Sequence, residues 1–187
     1  MADKIRKGKK SWVRIVGPTS FKNNFLGESY VYDGKELIGR KIRINLSRLN
    51  GDMRVQNIFI VFKIKESKGP EVYADIVSYE VSQSHIKRIV RTNRDKIDDS
   101  FIVESKDKVK LRVKPVIMTV NKAKNSILTA LRSNTRENLK GFFSQSDLKS
   151  ALDDIMLGKL QKAVKQNLKK IYPVSALEIR KLEVLNR

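Results

Sequence analysis

The sequence predicts an α+β fold: a mixed, largely antiparallel, partly closed sheet of about seven strands, with helices packed on one side. Three observations predict it. Strand signals recur through residues 12–120, as period-two alternation at 41–46 and 108–115 and as short apolar runs closed by turn residues elsewhere. Spacing turns helical near residue 84 and again, for longer, beyond residue 125. Forty per cent of the 187 residues are apolar, ample for a core and too many for a chain that stays uncollapsed.

Taken in order, residues 1–11 form a basic, flexible arm in which Lys4, Arg6, Lys7, Lys9 and Lys10 face only Asp3. The remaining residues, 12–187, read as a single α+β domain: 12–120 mainly β with one helix, 121–173 helical, and 174–187 a final strand. Trp12 to Val16 is a short strand closed by Gly17-Pro18, and Trp12 is expected to anchor the arm to the core. Glu28 to Tyr32 is a second strand, stopped by Asp33-Gly34. Ile42, Ile44 and Leu46 alternate with Lys41, Arg43 and Asn45, so this strand is half-buried. After the Asn50-Gly51-Asp52 turn, Val55 to Ile64 is apolar on both faces, which predicts the most buried strand. Lys68-Gly69-Pro70 then joins it to Val72–Val81 as a hairpin.

Ile86, Ile89, Val90 and Ile97 fall at helical offsets behind Ser82 or Ser84 as N-cap, predicting a helix over about 84–97. Phe101 to Val103 returns to strand. Lys108 to Pro115 alternates most sharply, with Val109, Leu111 and Val113 inward and four cations outward. Pro115 cannot donate to a ladder, so the strand lies at an edge there or bends. A helix follows over roughly 126–143 on Ile127, Leu128, Leu131 and Leu139, with Gly141 as a C-cap. A second carries Leu148, Ala151, Leu152 and Ile155. A third runs to Ile171 on Leu160, Ala163, Val164, Asn167 and Leu168, with Gly158 at the bend between them.

Charge narrows the function. Forty Lys and Arg against 20 Asp and Glu give +20, spread as +7, +5 and +8 over residues 1–80, 81–119 and 120–187. A folded body that is positive throughout repels itself unless a polyanion neutralises it, and nucleic acid is the expected partner. No detached basic cluster or amphipathic anchor points to a membrane, and the longest apolar run, Ile58–Phe62, is far short of the ~20 residues of a spanning helix. The polar first ten residues contain no secretory signal, and the absence of Cys excludes disulfides and thiolate chemistry; a reducing, cytoplasmic setting is expected.

The candidate RNA-binding residues follow from this chemistry. Lys108, Lys110, Arg112 and Lys114 stand about 6.6–7 Å apart on one strand face, near the spacing of phosphates along a nucleic-acid strand. Lys87, Arg88, Arg91 and Arg94 lie off the apolar stripe of their helix, where guanidinium groups can fork onto phosphates. For both groups binding outweighs ordinary surface solvation, and the two weigh equally for Lys159, Lys162, Lys165, Lys169 and Lys170. Trp12, Tyr30 and Tyr32 invite comparison with base-stacking platforms, though packing at the core rim is the simpler account. Catalysis finds no support. The lone His85 has no partner, Asp98-Asp99 and Asp153-Asp154 diverge as sequence neighbours, and no Gly-rich phosphate loop occurs. No catalytic residue, metal ligand or cofactor is expected.

Four segments, KSWVRIVGPTSF, LIGRKIRINLSRLNGD, KLRVKPV and IYPVSALEIRKLEVL, occur in the order and over the extent of one known family. The chain resembles the archaeal and eukaryotic small-subunit ribosomal protein family e-S-one, also called S-three-a-e, and its short C-terminus resembles the archaeal type. Family members often carry Asp-Gly where this chain has Asp107-Lys108. The resemblance implies a β-barrel-like sheet with helices packed on it, in a structural component of the small ribosomal subunit that binds rRNA at the platform near the mRNA exit region, ribosome-bound and without enzymatic activity. Carried onto matching positions, it implies rRNA contact at Lys110, Arg112 and Lys114, and at Arg40 and Lys41 in LIGRK. Lys9 and Lys10 join them as expected backbone contacts. The implied partners are small-subunit rRNA, neighbouring platform proteins and mRNA near the exit, with no homo-oligomer. A free RNA chaperone or single-strand binder is the rival reading; a nucleic-acid enzyme is the weaker one.

Overall fold

The computed structural model describes residues 9–18, 21 and 25–185. Lys4, Arg6 and Lys7 of the expected arm lie outside the described residues. The chain divides into two compact units, 1–77 and 78–187.

In the first unit, β1 (Ser11–Val16) pairs antiparallel with β2 (Phe25–Val31) and parallel with the start of β5 (Glu71–Val81). β3 (Lys41–Asn45) pairs antiparallel with β4 (Ile58–Lys68), which in turn pairs with β5 across the Gly69-Pro70 connection. Val13, Ile15, Leu26, Ile44, Ile60, Phe62, Ile64 and Val72 form the core, and Phe21 meets the edge of Phe62 at 5.8 Å between ring centres. Leu46 does not continue β3. It opens a short helix, α1 (Leu46–Asn50), because the Asn45 side chain accepts the Ser47 N–H at 2.9 Å and Gly51 supplies the left-handed end at φ 72°. This turn buries Leu46 and Leu49. Trp12 is not the expected anchor: it is 65% exposed. Ring area on the outer face of a strand stays in water, because only alternate residues reach the core.

The second unit is built on the longest ladder in the chain. β8 (Lys110–Thr119) pairs with β9 (Val174–Val184) from Leu111 to Thr119, and β9 pairs with the end of β5. On its other edge β8 takes two short strands in succession, β7 (Phe101–Glu104) beside Lys110–Val113 and β6 (Lys96–Asp98) beside Val116–Met118. Pro115 falls between them, where the β8–β9 register also shifts. A residue without an N–H therefore sits at a break in both ladders, the bend rather than the edge. β8, and not β4, is the more deeply buried strand, with Leu111, Val113, Val116, Ile117 and Met118 all in the core.

The first helix is shorter than its spacing predicts. α2 (Gln83–Ile89) ends at Val90, and Ile97 is buried as a strand residue opposite Ile117. Three later helices follow: α3 (Asn125–Gln145), α4 (Leu148–Met156) and α5 (Lys159–Leu168). α3 packs on β7 and α5 on β9, and α5 also packs against α3 and α4. Leu131, Thr135, Leu139 and Phe143 line the buried side of α3, which runs through Gly141. Gly158, at φ 70°, makes the bend between α4 and α5. Ala163 and Asn167 face solvent; the buried stripe of α5 is Leu160, Gln161, Val164 and Leu168. The α+β class and largely antiparallel sheet agree with the sequence; the strands number nine and the sheet is not closed.

Lys108 departs from its expected place. It lies before β8, in a turn whose Lys108 N–H donates to Ser105 O at 2.8 Å, with φ at 59°. This left-handed conformation costs a side chain about 1 kcal/mol and glycine almost nothing. Lys108→Gly is expected to raise stability by about 1 kcal/mol, read as a higher urea midpoint at unchanged slope.

Candidate nucleic-acid interface

Four groups of cations emerge from this frame. In the first unit, Arg40 is held by its backbone: its N–H donates to Leu37 O and its carbonyl accepts from Ile64 N, both at 3.0 Å. The side chain is left exposed beside Lys41. Antiparallel register sets Lys41 directly across from Lys63, and both are exposed. Among the described residues neither forms an ion pair. Opposed like charges are unfavourable, so the sheet carries here a cost that an anion would relieve. Two residues along β3, on the same face, the Arg43 guanidinium lies 3.7 Å from the Phe59 ring centre, a cation–π contact. Lys65 is different: Asp75 neutralises it at 2.9 Å.

The second group is the outer face of β8. Lys110 is exposed and forms no ion pair among the described residues. Arg112 and Lys114 lie 3.6 and 4.0 Å from Glu183 across the ladder, and Lys181 bridges Glu183 at 2.7 Å and Glu80 at 3.0 Å. The hydrogen bond from Lys181 is the main influence holding the Glu183 carboxyl below its ordinary range; the charges of Lys181, Lys114 and Arg112 add to it against the opposing effect of burial. Lys181 is raised in turn by its bonds to Glu183 and Glu80. The repulsion expected along the β8 cations is thus partly answered from β9 and β5 within the protein.

The third group surrounds α2. Lys87 and Arg88 are exposed on the helix, and Arg88 lies 3.4 Å from His85 Nδ1. Burial, then the Arg88 charge, lowers the His85 pKa, so the imidazole is neutral at pH 7. Arg91 and Arg94 are not on the helix, which has already ended. Arg91 is exposed in the following turn; Arg94 is half-buried and donates to Ser175 Oγ at 2.9 Å. Lys165, from the C-terminal helices, likewise turns inward and donates to Ser175 O. The fourth group is Lys9 and Lys10, exposed ahead of β1, with the Lys10 ammonium 5.1 Å from the Tyr32 ring centre and 6.0 Å from that of Tyr30.

Lys63 and Arg43 were not singled out in the sequence. Alternation shows that each points outward, but only strand register sets Lys63 against Lys41, and register across the loop from 46 to 57 is not written in local spacing. Chemistry of other kinds has little to work with. Among the described residues no three His, Asp or Glu side chains gather as a metal site, and no helix is long and apolar enough to cross a membrane.

Comparison with known proteins agrees with this picture. Residues 2–187 match the description of the Ribosomal S3Ae family. The chain is 32% identical over 178 residues to the small ribosomal subunit protein eS1 of Archaeoglobus fulgidus, covering 94% of this chain and 84% of that one. It is 30% identical over 176 residues to the protein of that name from Methanothrix thermoacetophila, covering 94% and 83%. With that of Methanothermobacter thermautotrophicus it shares 29% over 176 residues, covering 94% and 90%.

Proposed function

The chain belongs to the ribosomal S3Ae family, whose members are structural ribosomal proteins and not enzymes, and we propose that within that role it holds folded small-subunit rRNA at the platform near the mRNA exit region. Neutralisation of phosphates and fit to RNA shape supply the binding, without reading of sequence. One observation carries the reading: Lys41 and Lys63 are held face to face on an exposed strand pair, and neither forms an ion pair among the described residues. Arg40, Lys9 and Lys10 are further exposed cations of the first unit, and Lys87, Arg91, Lys108 and Lys110 of the second. Arg88, Arg112, Lys114 and Arg94 contribute from positions where the protein already engages them. Neighbouring platform proteins and mRNA passing the exit are the further partners of this placement, in a cytoplasmic, ribosome-bound protein.

Sedimentation tests it. In a density gradient of cell extract the protein should travel with the small subunit and leave it only at high salt. With about six phosphates engaged, the log–log salt slope for purified protein and RNA should be on the order of −4 on single strands and steeper on duplex. Protein at the top of the gradient at modest ionic strength, or a slope near zero, overturns the reading.

A further inference from the structure

We propose that the outer face of β1 and β2 is a second RNA site, which takes unpaired bases by stacking on Trp12, Tyr30 and Tyr32 with Lys10 at the backbone. It is a site for single strands, distinct in chemistry from the phosphate-neutralising surface, and it rests on the ribosomal reading only in taking RNA as the partner.

Exposure comes first. Trp12 is 65% exposed, Tyr30 53% and Tyr32 38%. Rings of this size normally bury most of their area, so three together in water leave an unspent apolar surface. Register explains why they cluster. Trp12 is paired with Tyr30 across the β1–β2 ladder, with ring centres 5.1 Å apart and planes tilted by 44°. Tyr32 lies just past the end of β2, and the Lys10 ammonium reaches its ring as well as that of Tyr30.

Charge then selects the occupant. The Lys10 ammonium lies over both tyrosine rings and, among the described residues, pairs with no carboxylate. Lys9 is exposed next to it. Arg14, on the Trp12 face of β1, lies 3.7 Å from Glu28 while remaining largely exposed, a loose pair that a phosphate can compete for. Rings with polar tips bordered by cations suit a base and its phosphate. A protein-docking patch would add aliphatic side chains to the rings, and among the described residues of β1 and β2 the exposed large apolar side chains, Trp12, Phe25 and Tyr30, are all aromatic. Stacking accepts any base, because every base presents a π-face, so the site selects unpaired strands over duplex and not one sequence over another.

The test uses a property of the chain itself. Trp12 is its only tryptophan, so intrinsic indole fluorescence reports on this face alone. Titration of the full chain with a uridine octamer should quench that emission, whereas an RNA duplex of equal length should bind by charge and leave it unchanged. Tyr30→Ala should weaken octamer binding by about tenfold, from the usual contribution of one stacked base. Tyr30→Phe should restore it, since stacking needs the ring and not the hydroxyl. Equal quenching by duplex and strand, or a Tyr30→Ala variant that is correctly folded by circular dichroism and binds the octamer unchanged, overturns the site. So does emission indifferent to RNA, the outcome expected if a protein covers this face. In each of these cases co-sedimentation with the small subunit still stands or falls separately.

Discussion

Lys41→Glu is expected to make the protein slightly more stable while weakening its hold on folded small-subunit rRNA. The two effects share one geometric cause. Lys41 stands directly opposite Lys63 in the β3–β4 ladder, so a carboxylate at 41 exchanges a like-charge pair for an opposite-charge pair. Cross-strand pairs of this kind change stability by roughly 0.2–1 kcal/mol. Adding Lys63→Glu should bring stability back near its starting point, because the pair is again of like sign, and should lower RNA affinity further. Loss of two phosphate contacts reduces the log–log salt slope by about 2, which corresponds to weakening on the order of thirtyfold near physiological salt. Filter binding to small-subunit rRNA and urea unfolding of the same three proteins check both. Stability should rise and then fall while affinity falls twice. If affinity follows stability through the series, Lys41 and Lys63 act through the fold and not on the RNA.

This separation is available because inward and outward positions in the strands were legible from period-two spacing. Ile44, Leu111 and Val113 are buried and Lys41, Arg43 and Lys110 exposed, as alternation requires. What local spacing does not contain is the identity of the partner strand. Ile97 continues the helical offsets of Ile86 and Ile89, yet pairing with Ile117 draws it into a strand, and tertiary hydrogen bonding outweighs a weak local preference there. Leu46 continues the alternation of Ile42 and Ile44, but a single hydrogen bond from Ser47 N to Asn45 turns the chain into α1. The sites inherit the same limit. Basic residues were identifiable by type, and Lys41 and Lys110 face outward as alternation requires. That Arg112 and Lys114 share Glu183, that Arg94 reaches Ser175 and that Trp12 lies outside the core are facts of contact between residues distant in sequence.

Glu183 divides the two roles of the β8 cations, and Glu183→Gln is expected to lower stability while strengthening RNA binding. The carboxylate accepts from Lys181 at 2.7 Å and stands near Arg112 and Lys114, so its neutralisation leaves four cations on this face of β8 and β9 with Glu80 as the bonded carboxylate. The amide oxygen can still accept from Lys181, so what is lost is the charge of a partly exposed pair, about 1 kcal/mol. The sign with pH follows from the lowered Glu183 pKa. A carboxyl that ionises more readily when folded contributes stability above its ordinary value of 4.5, and the contribution disappears as pH falls through the lower folded value. Lys181, raised above its ordinary 10.5, keeps its contribution through neutral pH and loses it only in strong base. The difference between wild type and Glu183→Gln should therefore be constant from about pH 6 to 9 and shrink below 4.5. Freed from Glu183, Arg112 and Lys114 can turn fully to phosphate, and affinity for small-subunit rRNA should rise about threefold, with a salt slope steeper by up to 1. A variant that loses stability with this pH profile but binds RNA no better shows that Arg112 and Lys114 serve the sheet alone, leaving Lys110 as the contact that β8 offers.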